Sequence, residues 1–311
     1  MKGKDMEKRI VWQTRRYLQQ AAGAARELIY PRRCPVCDRP VQPAGALICP
    51  ACERTLQRVA PPVCLRCGKP VRDPNTGHLC PDCLKIPHVY DRGCAVFVYH
   101  SVSGGLFRFK YEGRREYGAF YGKCMADRLR TFCAELDAAQ GHRRSQGGPV
   151  GAAGQDSGSA AHRSGRMADM VSGGMDPRVF FDMLIPVPVS PRRLRQRGYN
   201  QALILAREVS IRTGIPVRED ILYRISDTRP MKNMGPEERQ NNLKKAFQCH
   251  GNDVELSSIM LIDDIYTTGA TVDACARALY RQGAHRVCFL TLAIGDGGQE
   301  TDQPGAGIVS G

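Results

Sequence analysis

Residues 259–271 read IMLIDDIYTTGAT. Four apolar residues, two adjacent carboxylates, a loop of small residues and the start of a helix follow one another, and that order decides the fold. The apolar run predicts a buried parallel strand, and ligands in open α/β sheets sit beyond the carboxyl ends of such strands. Asp263 and Asp264 stand at that end. The loop Thr267, Thr268, Gly269, Ala270, Thr271 offers backbone N–H groups, hydroxyls and a helix N-terminus, a set suited to a phosphate dianion. Gly269 lets the backbone approach closely.

Two carboxylates beside a phosphate site would repel a bare anion, so they are better aimed at hydroxyl donors and a bridging cation. An acidic pair at a strand end, taken alone, also suits a Walker B or phosphoacceptor site. With TTGAT attached it fits ribose 5-phosphate, which presents hydroxyls to one half and a phosphate to the other.

Strand and helix patterns alternate around this segment. FFDMLIPVP (180–188) reads as a strand, NQALILAREVSIR (200–212) as a helix stopped at Gly214, and SSIMLIDDI (257–265) as a strand. TVDACARALYRQ (271–282) is a helix stopped at Gly283, and RVCFLTLAI (286–294) is the last strand. Upstream, CAVFVYH (94–100) is a strand, and residues 107–136 form a helical run broken at Gly113. Such alternation predicts an α/β, Rossmann-like domain over residues 91–295, with a five-stranded, mainly parallel sheet flanked by helices. Residues 137–178 are Gly/Ser/Ala-rich and are expected to be a disordered insertion, as is the tail, 296–311.

Residues 31–90 are built differently. Four CxxC pairs, Cys34/Cys37, Cys49/Cys52, Cys64/Cys67 and Cys80/Cys83, are separated by 11, 11 and 12 residues. Two such knuckles complete a tetrahedral Cys₄ zinc site with no position open for catalysis, so two structural zinc ions are expected. Sequential pairing gives two ribbons; interleaved pairing is the alternative. Cys94, Cys124, Cys133, Cys249, Cys275 and Cys288 lie outside the pattern and read as packing residues. Ahead of the cysteines, residues 1–30 carry apolar side chains at spacings near 3 and 4, from Ile10 to Ile29, which predicts an amphipathic helix.

Lys and Arg number 45 against 31 Asp and Glu, a net +14 that attracts phosphates. The stretch MKGKDMEKRIVWQTRRYLQQ is broken by charge every few residues, and no run approaches the roughly 18 apolar residues of a membrane span. A cytoplasmic protein without membrane insertion is expected, and its 14 cysteines then speak for metal and packing over disulfides.

IDDIYTTGAT resembles the phosphoribosyl pyrophosphate motif of type I phosphoribosyltransferases. Together with PVPVSPRRLRQRGYNQA (186–202), ER..NL..AF (238–247) and the CxxC module, it is similar to the ComF family of competence-associated proteins. The resemblance implies a type I phosphoribosyltransferase fold with an N-terminal double zinc ribbon. It implies that Asp263 and Asp264 contact the ribose hydroxyls, that Thr267–Thr271 hold the 5-phosphate, and that Mg²⁺ accompanies the ligand. The turn Pro188–Arg193 would be the pyrophosphate loop, with Ser190, Arg192 and Arg193 in contact. Residues 224–247 would be a closing loop that brings in Arg239. Met231 stands where family members often carry glutamine.

Two functions follow. One is phosphoribosyl transfer to an acceptor that no residue identifies, linked to DNA uptake. The other is a non-catalytic module that senses the ligand or holds single-stranded DNA, with a competence helicase as a partner. Arg192, Arg193, Arg195 and Arg197 favour an anionic ligand in either case, although no series of stacking aromatics is visible.

Overall fold

The computed structural model describes residues 31–71, 78–145, 175–225, 246–249 and 254–295. The N-terminal amphipathic stretch, most of the insertion, the bulk of the closing loop and the tail lie outside them.

Four strands form one parallel sheet: β1 (Gly93–Val98), β2 (Met183–Pro186), β5 (Ser258–Tyr266) and β6 (Arg286–Ile294), in the order β1-β6-β5-β2. A separate antiparallel pair joins β3 (Leu222–Arg224) to β4 (Phe247–Cys249). The sheet has four strands where five were expected. The fifth is reduced to one bridge, Leu184 to Val217, in which the Leu184 N–H donates to Pro216 and the Arg218 N–H donates to Leu184.

Alternation along the strands assigns two cores. Val96, Leu184, Met260, Ile262, Cys288 and Leu290 face one side; Ala95, Ile185, Ile259, Leu261, Val287 and Phe289 face the other. The first side is covered by α3 (Tyr99–Tyr111), α4 (Tyr117–Ser145) and α6 (Gln201–Thr213), and the second by α7 (Ala270–Tyr280) with the β3–β4 pair. Breaks at Gly113 and Gly214 fall where the sequence places them. Helix α4, however, continues to Ser145, eight residues past the expected start of the insertion at Asp137. Phe132, Cys133 and Leu136, just before Asp137, are buried in the core on this face of the sheet.

The cysteines pair sequentially. The Sγ atoms of Cys34, Cys37, Cys49 and Cys52 lie within 4.8 Å of one another, as do those of Cys64, Cys67, Cys80 and Cys83. Four thiolates at about 2.3 Å from one zinc sit at such mutual separations, so both tetrads fit the ion. Short helices α1 (Pro50–Glu53) and α2 (Pro81–Lys85) begin directly after Cys49 and Cys80. The tetrads pack on opposite faces of the sheet, the first against the α3–α4 core and the second against the α7 core. Between them the chain runs along β1: Val59 N–H donates to Val96 O, and Val98 N–H donates to Gln57 O. The module thus closes the β1 edge instead of forming a detached lobe.

Structural zinc supplies about 10–16 kcal/mol in comparable small modules. Elemental analysis of the purified protein should return two zinc ions per chain, one for each tetrad. Cys49→Ser should reduce the count to one; a parent protein carrying no zinc would refute the assignment.

Candidate functional site

The parallel sheet is asymmetric about the boundary between β2 and β5. Helix α6 leaves β2 outward to Val217 on one face, whereas α7 carries the chain from β5 to β6 on the other. A reversal of this kind opens a crevice at the carboxyl ends of the two strands, where α/β sheets bind ligands. The last β2–β5 pair is Pro186 with Ile262, followed by the Val187 N–H to Ile262 O bond of 2.9 Å. Beyond it β5 continues alone on this side, and the next residues are Asp263 and Asp264.

The sequence reading carried this strand to Ile265, and β5 pairs with β6 through Tyr266. Both aspartates therefore sit within a strand, and successive side chains of a strand point to opposite faces. Asp264 turns to the α3 side, where Lys110 Nζ meets its Oδ1 at 2.9 Å with side chains only 15% and 14% exposed. Asp263 turns to the α7 side toward Arg224 and Cys275. Its Oδ1 accepts the Asp264 N–H at 2.8 Å. Burial and then the Asp264 carboxylate push the Asp263 pKa up to about 7, against the pull of Lys110 and Arg224. Lys110 carried no signal in the sequence, because it reads as one more cation of the run FRFKYEGRR.

The small-residue loop lies where the motif puts it. Thr267 and Thr268 are exposed, Ala270 and Thr271 half-buried, and Gly269 is the N-terminal cap of α7 with φ at +80°. That residue must be glycine on two counts. Its φ is left-handed, and a Cβ there would stand 2.6 Å from Tyr266 Oη and 2.9 Å from His88 Cε1. No side chain caps α7, so its first-turn N–H groups remain available to an anion.

The expected turn Pro188–Arg193 is resolved differently. Ser190 is buried and caps a helix, α5 (Pro191–Arg197), its Oγ accepting the Arg193 N–H at 3.4 Å. Arg192 and Arg193 are thus helical residues; proline at the first helical position explains the change. Both are exposed, as is Arg195, on the helix that follows β2. Arg197 is tied down, donating to Gln201 Oε1 and Tyr111 Oη. Asn200 caps α6, accepting from Ala202 N–H, and its Nδ2 donates to Val187 O. Arg239 lies outside the described residues.

A double zinc ribbon domain matches residues 25–84. Among curated proteins, competence protein F of Haemophilus influenzae is 32% identical over 114 residues, 36% of this chain and 50% of that protein. ComFC of Bacillus subtilis, also a competence protein, is 35% identical over 111 residues, 35% and 43% of the two chains. The chain is a homologue of competence protein F. The DNA utilization protein YhgH of Escherichia coli is 31% identical over 106 residues, 34% and 46% of the two chains. The chain thus matches about half the length of these relatives. A purine phosphoribosyltransferase from Pyrococcus horikoshii aligns over 38% of this chain and 63% of its own, with 19% identity and a TM-score of 0.25. No helix among the described residues is long and apolar enough to cross a membrane.

The raised Asp263 has a cost that depends on pH. In the unfolded chain it ionises near its ordinary 3.8 and in the fold near 7, so its contribution to stability falls as pH rises between those values. Asp263→Asn keeps the acceptor for the Asp264 N–H and removes the charge. It should melt above the parent at about pH 8, with the gap narrowing at about pH 6. A gap that is independent of pH would refute the shift.

Proposed function

We propose that the domain binds a phosphoribosyl pyrophosphate-like ligand across the β2–β5 crevice. One observation carries the reading: two carboxylates, an uncapped helix N-terminus after a Thr-Thr-Gly loop, and an arginine-bearing helix meet at the carboxyl ends of adjacent strands. In this reading Thr267, Thr268 and the N–H groups of Gly269–Thr271 hold the 5-phosphate, and Asp263 and Asp264 accept from the ribose hydroxyls. Arg192 and Arg193 face the pyrophosphate, with Ser190 fixing the helix that presents them. Arg239, which the family resemblance adds to this set, lies outside the described residues. Magnesium bound with the ligand would supply positive charge to offset that of the pyrophosphate, with Asp263 and Asp264 the nearby carboxylates. Lys110 orients Asp264 through their 2.9 Å ion pair. If transfer follows, the same two carboxylates stabilise the oxocarbenium-like centre formed as pyrophosphate leaves. The names of the relatives, two competence proteins and a DNA utilization protein, support a role in DNA uptake or use; a cytoplasmic location and a competence helicase as partner are part of the same proposal.

A second reading, a surface for single-stranded DNA, draws on an arrangement the sequence hid. Phe107 and Tyr111 are exposed on α3 with ring centroids 5.1 Å apart, and the Arg197 guanidinium lies 4.9 Å from the Tyr111 centroid. Arg115 covers Tyr199 at 4.4 Å. Stacking rings among arginines are what an unpaired strand requires.

Titration calorimetry of phosphoribosyl pyrophosphate with Mg²⁺ should give micromolar binding to the parent and none to Asp263→Asn, Asp264→Asn. No heat with a folded parent would sink the ligand reading. An oligothymidylate should bind with salt-dependent affinity, weakened about tenfold or more by Phe107→Ala, Tyr111→Ala; equal affinity for the variant would remove the second reading.

A further inference from the structure

The stretch between the second cysteine tetrad and β1, residues 84–92, has no part in the zinc site or in the crevice as described so far. Its His88 is nevertheless among the most enclosed polar residues of the protein, with a side chain 1% exposed. His88 Nδ1 lies 2.7 Å from Asp273 Oδ2, and the Val89 N–H donates to Asp273 Oδ1 at 2.9 Å. Asp273 is in the first turn of α7, directly behind the Thr267–Thr271 loop. A carboxylate there would ordinarily serve the free N–H groups of its own helix. Here both its oxygens are committed to residues 88 and 89, and the helix N-terminus is left open.

A second tie lies beside the first. Tyr90 Oη and Tyr266 Oη are 2.7 Å apart, and Tyr266 immediately precedes the loop. The His88 ring stacks on Tyr90 at 4.8 Å, and Tyr266 stacks on Phe289 at 4.7 Å. Gly269 rests on both assemblies, since the space a Cβ would need there is taken by Tyr266 Oη and His88 Cε1. From the other side Lys69, ion-paired to Asp82 at 2.6 Å within the second ribbon, reaches 5.8 Å from the Tyr266 ring centroid. Cys64, Cys67 and Cys80 share one buried core with Tyr90, Tyr266 and Val272. His88 Nε2 is buried with no hydrogen-bond partner among the described residues, a cost that packing alone does not require.

We infer that His88 and Asp273, assisted by Tyr90 and Tyr266, are positioning residues that hold the Thr267–Thr271 loop in its phosphate-binding shape, so that the second ribbon is the floor of the phosphate half of the site. The inference rests on the phosphoribosyl reading above and adds a division within it. The hydroxyl half is supported from the opposite face: Lys110 lies on α3, which is pinned to the first ribbon by Arg108 Nη2 donating to Val36 O at 2.7 Å. Loss of the His88–Asp273 tie therefore weakens recognition of the 5-phosphate and leaves the pyrophosphate end, held from β2 and α5, as it was.

The test separates these halves in the full-length, zinc-loaded chain. Ribose 5-phosphate and pyrophosphate, each with Mg²⁺, are titrated into the parent, His88→Leu, His88→Asn and Tyr266→Phe, with thermal midpoints recorded alongside. Asparagine keeps an N–H near the Nδ1 position; leucine keeps the bulk alone. Expected is a loss of about tenfold or more for ribose 5-phosphate in His88→Leu, a smaller loss in Tyr266→Phe, recovery in His88→Asn, and unchanged pyrophosphate affinity throughout. Equal losses for both ligands that track the thermal midpoints would make the tie structural and overturn the inference, as would unchanged ribose 5-phosphate affinity in His88→Leu. If His88→Leu does not fold, the same comparison is read from Tyr266→Phe and His88→Asn, and unchanged ribose 5-phosphate affinity in Tyr266→Phe overturns the inference. A parent that binds neither ligand removes the phosphoribosyl reading and this inference with it, an outcome distinct from a parent that binds both.

Discussion

Adjacent residues on a strand face opposite ways, and in β5 this rule governs the whole site. Asp263 and Asp264 are neighbours in sequence, but one turns into the α7 layer and the other into the α3 layer. A pair of carboxylates so divided cannot be ordered from one side. The protein supplies a cation and a packed support on each side, and each support carries its own cysteine tetrad. The strip Gln57–Val59 along β1 is the passage by which the chain moves from one face to the other.

Gly105 shows how closely the first support is fitted. A Cβ there would lie 2.2 Å from Pro35 O, so the backbone of α3 rests almost directly on the first knuckle. Tyr117 and Arg114 both donate to Asp38, at 2.5 and 3.0 Å, and draw its carboxyl below the ordinary range against the effect of its burial. Contacts of this kind give the small module a fixed orientation that its own few apolar side chains could not.

Much of this was legible in the sequence, for local reasons. β6 coincides with RVCFLTLAI, because a strand buried on both faces is apolar throughout, and α6 ends at Gly214 as its periodicity demands. The CxxC spacing specified four two-thiolate knuckles, though not which pairs combine, since that depends on chain reversal between knuckles. Lys110, His88 and Asp273 could not be found this way. Their partners lie 154 and 185 residues away in the chain, and nothing in FRFKY or in the segment around His88 marks a residue whose role is set by a distant strand or helix. The two short segments differ in cause: α5 starts from a local signal, Ser190 capping a helix with proline at its first position, whereas the fifth strand is a single bridge whose state is decided by packing at the sheet edge, where propensity is weak.

The covered margins of the main sheet also bear on how this protein meets others. β1 is lined by Gln57–Val59 and β2 by Pro216–Arg218, so neither outer strand presents the row of open N–H and C=O groups by which an extended peptide adds itself to a sheet. Association through this sheet by strand addition is thereby closed off, for a copy of the chain and for a foreign segment alike. Recognition must instead be read by side chains, on the helices or on the outer surfaces of the ribbons, where specificity rests on charge and shape instead of on backbone pairing common to every sequence.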